Sequence, residues 1–310
     1  MTKRAPAARF GRVLTAMATP FDASGALDIR GAQQLAAHLV AHGSDGLVVS
    51  GSTGEAPTLT DDERVALWRA VVEAVDAPVL AGATSNDTAH SVELVRRAEQ
   101  AGVTGILAVT PYYNRPSQAG IEAHFRAVAA ATALPVVVYD IPVRSGRRVA
   151  RETMLRLAAG VENVVAVKDA AGDPAATARL LAEAPDGFEC YSGDDALTLP
   201  LLAVGAVGLI GVATHWCARE CREMIDRFLD GDLASAIELN RALLESFDFE
   251  TGDDAPNPVP AKAMLRVLGL PAGECRLPLG PAPDGLEDRA KSVLASLDSW
   301  RRSRAAPASG

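Results

Sequence analysis

Eight short apolar runs, five to seven residues each, divide the chain from residue 13 to residue 212, and amphipathic stretches lie between most of them. They fall at residues 13–19, 46–50, 78–83, 105–110, 135–139, 164–168, 188–192 and 207–212. The runs are continuous rather than alternating, the pattern of strands covered on both faces. Strand and helix in alternation imply parallel pairing. Eight such units in about 200 residues match a (β/α)8 TIM barrel, whereas a doubly wound sheet usually needs fewer strands. No Gly-x-Gly-x-x-Gly follows the first run, which removes the best support for the open sheet. Beyond residue 212 the strands stop. Residues 215–249, 260–268 and 285–302 read as helices, with "ETGDDAPNPVP" as the loop between the first two. The expected organisation is therefore a barrel over residues 1–214 and a helical extension over residues 215–310, ending in the frayed tail "SRAAPASG".

Composition narrows the function classes. A net charge of −9, with Lys and Arg scattered apart from short basic groups near the two ends, leaves no electrostatic footprint for nucleic acid. Cys190, Cys217, Cys221 and Cys275 show no paired spacing, which suits reduced thiols and a cytoplasmic location. The opening "MTKRAPAARF" carries charge without a following apolar segment and does not read as a secretory leader. Residues 196–218 lack formal charge and pass a bare length test for a membrane span. Pro200, Gly205, Gly208 and Gly211 interrupt them, so they read as a buried helix, a turn and a buried strand. His215, Cys217 and Cys221 match no usual zinc spacing, and no metal is expected; two buried cysteines on a helix account for them.

In such a barrel the active site gathers at the C-terminal ends of the strands. There the chain has "SGSTGE", "TPYYN", "YDIPVRSG", "KDA" and "SGDD", its densest clusters of hydroxyls, charge and glycine. Lys168 closes the sixth run, where desolvation would lower its pKa and supply a neutral amine able to attack a ketone. A solvated lysine paired with Asp169 is the competing reading. Tyr139 closes the fifth run and could carry protons to Lys168; alternatively it is a core tyrosine bonded to a carbonyl. "GSTGE" has the shape of a carboxylate or phosphate cradle, or of a plain turn and helix cap. Arg144 could fork onto a carboxylate or be a solvated loop residue. Asp194 and Asp195 read as caps of the following helix rather than as an acid–base pair.

Taken in order, "TPFDASGALD", "GSTGE", "TPYYNRPSQAGIEAHF", "YDIPVRSG", "VKDAAG", "SGDD" and "NPVPAK" resemble the landmarks of the pyruvate-dependent aldolase and lyase superfamily typified by dihydrodipicolinate synthase and N-acetylneuraminate lyase. The resemblance covers nearly the whole chain. It implies that Lys168 forms a Schiff base with pyruvate, with no separate cofactor, and that Tyr139 relays protons. Thr53 would hold the pyruvate carboxylate, Ser52 would stand where the family has a relay threonine, and Gly193 and Ile210 would contact substrate. Tyr113 matches a tyrosine that reaches into a neighbouring subunit's site, which implies at least a dimer and usually a tetramer. Arg144 points to the synthase branch, in which pyruvate condenses with aspartate semialdehyde for lysine and diaminopimelate biosynthesis. Ser52 is more familiar in N-acetylneuraminate lyases, so the alternative is a lyase for a sialic acid or a 2-keto-3-deoxy sugar acid. A binding paralogue without chemistry would have lost Lys168, Tyr139, Tyr113 or Thr53, and all four are present. Where lysine-sensitive relatives carry a histidine and a glutamate at their effector site, this chain has Arg64 and His90, beside matching Asn86 and Tyr112. The resemblance thus implies weak feedback by lysine.

Overall fold

The computed structural model describes residues 8–305. Residues 1–7, within the stretch read as lacking a leader, and residues 306–310 of the tail read as frayed lie outside them; residues 303–305 of that tail instead continue the last helix. The first half runs β1 (Val13–Ala16), α1 (Ile29–Ala41), β2 (Gly46–Val49), α2 (Asp61–Ala74), β3 (Val79–Gly82), α3 (Thr88–Gln100), β4 (Gly105–Val109) and α4 (Gln118–Ala130). It continues with β5 (Val136–Asp140), the single turn α5 (Pro142–Ser145), α6 (Arg151–Gly160), β6 (Val164–Asp169), α7 (Pro174–Glu183), β7 (Glu189–Ser192), α8 (Thr198–Leu202) and β8 (Gly208–Gly211). Four helices follow: α9 (Thr214–Leu229), α10 (Leu233–Phe249), α11 (Val259–Val267) and α12 (Leu286–Ala305). The strands pair in sequence order, all parallel, and β8 closes on β1. The (β/α)8 barrel with helical additions at its C-terminal end is thus the architecture of the chain.

Covering both faces of each strand explains the unbroken apolar runs. In β5, Val136 and Val138 pack outward against the helices, while Val137 and Tyr139 join Leu14, Val48, Ala166 and Ile210 inside the barrel. The first run is shorter as a strand than as a sequence pattern because side chains take over the ladder: the Ala18 N–H donates to the His215 ring at 3.1 Å and Thr19 donates to the Gly54 carbonyl at 2.7 Å. The region expected as one helix over 215–249 is two. Gly231 adopts φ +85°, and the Asp232 carboxylate caps α10 by accepting from the Ser235 N–H. The charge-free stretch 196–218 holds α8, β8 and the start of α9, and among the described residues no helix is long and apolar enough to cross a membrane. Cys217 and Cys221 are buried on α9, where Met224, Ile225, Leu239, Leu243 and Met264 knit α9, α10 and α11 into a second apolar cluster. That packing carries the loop between α10 and α11 to the barrel mouth, where Asn257 reaches Thr53.

Candidate active site

The register of β5 against β6 sets Tyr139 directly beside Lys168. Lys168 is 4% exposed, and its Nζ lies 4.4 Å from the centre of the Tyr139 ring. Burial pulls the ammonium down to about 8; Asp195 and Glu250 oppose that shift and Arg144 adds to it. Gly193 leaves the space the lysine needs, since a Cβ there would stand 3.0 Å from Lys168 Cγ and Cε. Burial pushes the Tyr139 phenol up to about 12, with Arg144 and the Ser52 hydroxyl pulling the other way. The phenol therefore stays protonated at neutral pH and can donate. The other neighbour of Lys168 in the ladder, Tyr191, turns toward the barrel floor, where it donates to Glu189 and accepts from the Phe10 N–H.

The "GSTGE" turn folds back on itself rather than entering a long helix. Ser50 and Glu55 have φ of +54° and +57°, and a Cβ on Gly82 of the next strand would meet the Ser50 carbonyl at 2.3 Å. The helix cap lies further on, where Thr60 and Glu63 form a reciprocal capping box at the start of α2. Three contacts from the C-terminal extension hold the turn, one of them the Arg276 N–H donating to the Glu55 carboxylate at 2.8 Å. Lys262 on α11 pairs with the buried Glu55 carboxylate at 2.6 Å, and Asn257 Nδ2 donates to the Thr53 hydroxyl at 3.0 Å. Arg144, on the one-turn helix α5, donates through Nη2 to the Asn257 carbonyl at 3.0 Å.

Ser52, Tyr139, Ile141 and Arg144 are among the walls of a cavity of about 280 Å³, and Lys168 lies against the Tyr139 ring rather than on the cavity wall. Thr53 is buried beside the cavity, and Ile210 is fully buried in the barrel interior with Tyr139. Tyr113 stands outside this group, 91% exposed, with φ +71°. The two aspartates of "SGDD" part company. Asp194 accepts from the Ala196 and Leu197 N–H groups and holds the turn before α8, whereas Asp195 accepts from Val212 and Ala213 at the end of β8. Glu250 accepts from the same Ala213 N–H, so two buried carboxyls meet on one donor; burial raises both pKa values. Glu250 and Asn257 escaped the sequence reading. Both sit in or at the edge of a segment that reads as a loop, and no spacing ties Glu250 to Ala213 or Asn257 to Thr53. His215 is a neutral structural group, donating to the Val212 carbonyl and accepting from Ala18, with burial pulling it down to about 4.

A parallel barrel that buries a lysine of lowered basicity against a phenol, with an arginine on the adjoining cavity wall, defines a Schiff-base-forming enzyme of the lyase and synthase type. The model of the dihydrodipicolinate synthetase family matches residues 9–297. The chain is 52% identical over 275 residues to the 4-hydroxy-tetrahydrodipicolinate synthase of Moorella thermoacetica, covering 87% of this chain and 92% of that one. It is 50% identical to the 4-hydroxy-tetrahydrodipicolinate synthase 2 of Streptomyces coelicolor, covering 91% and 94%. The lysine-bound crystal structure of the Cyanidioschyzon merolae enzyme superimposes with a TM-score of 0.91 at 42% identity, covering 93% of this chain and 98% of that one. The chain belongs to the dihydrodipicolinate synthetase family.

Proposed function

We propose that this chain condenses pyruvate with L-aspartate 4-semialdehyde, the step that gives its relatives their name, in lysine and diaminopimelate biosynthesis. The observation that carries the reading is the buried Lys168 amine, drawn toward neutrality and set against the Tyr139 phenol. The neutral amine attacks the pyruvate ketone, and Tyr139 delivers the proton that lets the hydroxyl leave as water. Loss of a proton from the methyl carbon of the imine gives an enamine, whose carbon attacks the aldehyde. The semialdehyde's own amino group then displaces Lys168, closing the ring and freeing the enzyme. Thr53 holds the pyruvate carboxylate, Ser52 passes protons between Tyr139 and the site, Arg144 grips the second carboxylate, and Gly193 and Ile210 shape the floor. The barrel, residues 1–214, supplies the chemistry, and residues 215–310 brace it. The reaction needs no metal and no cofactor beyond the pyruvate imine, and the enzyme works in the cytoplasm, without nucleic-acid or membrane partners, as a homotetramer. The exposure of Tyr113 supports a site completed across subunits.

Pyruvate consumption measured with aspartate semialdehyde and, separately, with N-acetylmannosamine tests the substrate. Turnover with the semialdehyde alone is expected; turnover with the amino sugar alone would make Ser52 the better guide and assign a lyase. Lys168→Ala is expected to abolish borohydride trapping of pyruvate, and surviving trapping would move the nucleophile elsewhere. Arg144→Ala should leave trapping intact and cut use of the semialdehyde, whereas equal loss of both would assign Arg144 a structural role. Lysine at millimolar concentration is expected to slow turnover little. The His90 ring is occupied by Asp61 at 2.9 Å, and Arg64 brings a cation where an ammonium ligand would need acceptors.

A further inference from the structure

We infer that Asn257, in the "NPVPAK" segment of the helical extension, is a positioning residue that sets the proton direction of Thr53 and seats Arg144, so that one residue ties together the two anion grips of the site. The inference rests on the reading of Thr53 as the pyruvate carboxylate grip. Asn257 is 8% exposed, and it meets both groups with different atoms: its Nδ2 donates to Thr53 Oγ1 at 3.0 Å, and its backbone carbonyl accepts from Arg144 Nη2 at 3.0 Å. A hydroxyl has one proton and two lone pairs. When an amide N–H occupies a lone pair of Thr53, the Thr53 proton is free to point at an anion. With the amide turned over, that proton would go to Asn257 and the substrate carboxylate would face a lone pair. Among the described residues, Asn257 Oδ1 has no hydrogen-bond partner although it is buried. A buried acceptor left unsatisfied costs stability, so the amide is not explained by the fold alone.

The two contacts separate under mutation because one is side chain and the other backbone. Asn257→Asp keeps the shape and the carbonyl contact to Arg144 but replaces the donor by an acceptor. The reading is the pyruvate concentration that gives half-maximal borohydride trapping, which reports pyruvate binding and imine formation at Lys168 without the semialdehyde. Asn257→Asp is expected to raise it by about tenfold or more, the scale of a hydrogen bond that serves a charged group, with the KM for the semialdehyde nearly unchanged. In a Thr53→Val background the same substitution is expected to add little, since Asn257 acts through the hydroxyl. An undiminished effect in that background, or an equal rise in the semialdehyde KM, would overturn the inference. A melting temperature for each variant separates these outcomes from misfolding, and Asn257→Ser, which restores a hydroxyl donor, should recover part of the loss. Wild-type protein that traps pyruvate but does not use the semialdehyde would sink the proposed reaction and leave the Asn257 result to stand on its own; absence of trapping would remove both.

Discussion

Lys168 and Tyr139 are legible in the sequence because each ends an apolar run, and an abrupt polar residue at the mouth end of a buried strand has to be accounted for by chemistry or by a partner. The structure joins them through backbone register rather than through any contact either residue could seek alone. Asp195 is less legible. Capping suits an aspartate ahead of a helix, but Asp194 already satisfies the turn before α8, and Asp195 turns instead to the N–H groups at the end of β8. The burial of Lys168 makes a pH prediction with a definite sign. The nucleophile is the neutral amine, so at low pH the site is silent and imine formation should rise as pH passes through about 8, the value to which burial draws the ammonium. The initial rate of borohydride-trapped imine at fixed pyruvate, followed from pH 6 to about 11.5, is the measurement. A midpoint near the ordinary lysine value of 10.5 would mean that water reaches the ammonium and that desolvation does not activate it.

At the scale of elements, the eight strands could be read because a doubly covered strand has a simple signature, and what escaped was set by local backbone and long-range contacts. The break at Gly231 between α9 and α10 depends on a left-handed residue that apolar periodicity does not register. The loop from α10 to α11 reads as a bland connection, yet its Asn257 reaches Thr53 on the far side of the sequence. A neighbouring contact explains how α11 is locked to the barrel. Lys262, fully buried, pairs with the equally buried Glu55 at 2.6 Å, while its Nζ lies 4.1 Å from the Phe21 ring centre and donates to the Glu274 carbonyl. Removing one partner of such a pair strands a charge in a dry site. Lys262→Met should therefore cost about 3–5 kcal/mol, read as a fall in the urea midpoint. Adding Glu55→Gln should recover part of that loss, because the orphaned charge is gone while the side-chain oxygen can still accept from the Arg276 N–H. A double variant no more stable than Lys262→Met would show that the cost lies in packing around the methylene chain.

At the scale of the whole molecule, composition and strand count were enough to give the barrel, and the matching of the family along residues 9–297 agrees with it. Assembly is the level at which one chain's sequence is least informative, because an exposed side chain carries no periodicity. Tyr113 is the residue that speaks to it: a large aromatic, 91% exposed, held at φ +71° on the loop that follows β4. A bulky side chain kept in a left-handed conformation is unfavourable for its own chain and makes sense if a second copy receives it. Such sharing across a two-fold axis predicts complementation. Lys168→Ala has no nucleophile but keeps Tyr113; Tyr113→Phe keeps the nucleophile but lacks the phenol. If Tyr113 serves the neighbouring site, a hybrid dimer contains one site with both groups intact. Unfolding and refolding the two nearly inactive variants together, at equal amounts, should then return activity up to about a quarter of wild type, as half the dimers are hybrids with one competent site each. Mixtures that stay as inactive as their components, in samples shown to be hybrid by co-purification of differently tagged subunits, would confine Tyr113 to its own subunit and remove the reason for treating the oligomer as part of the active site.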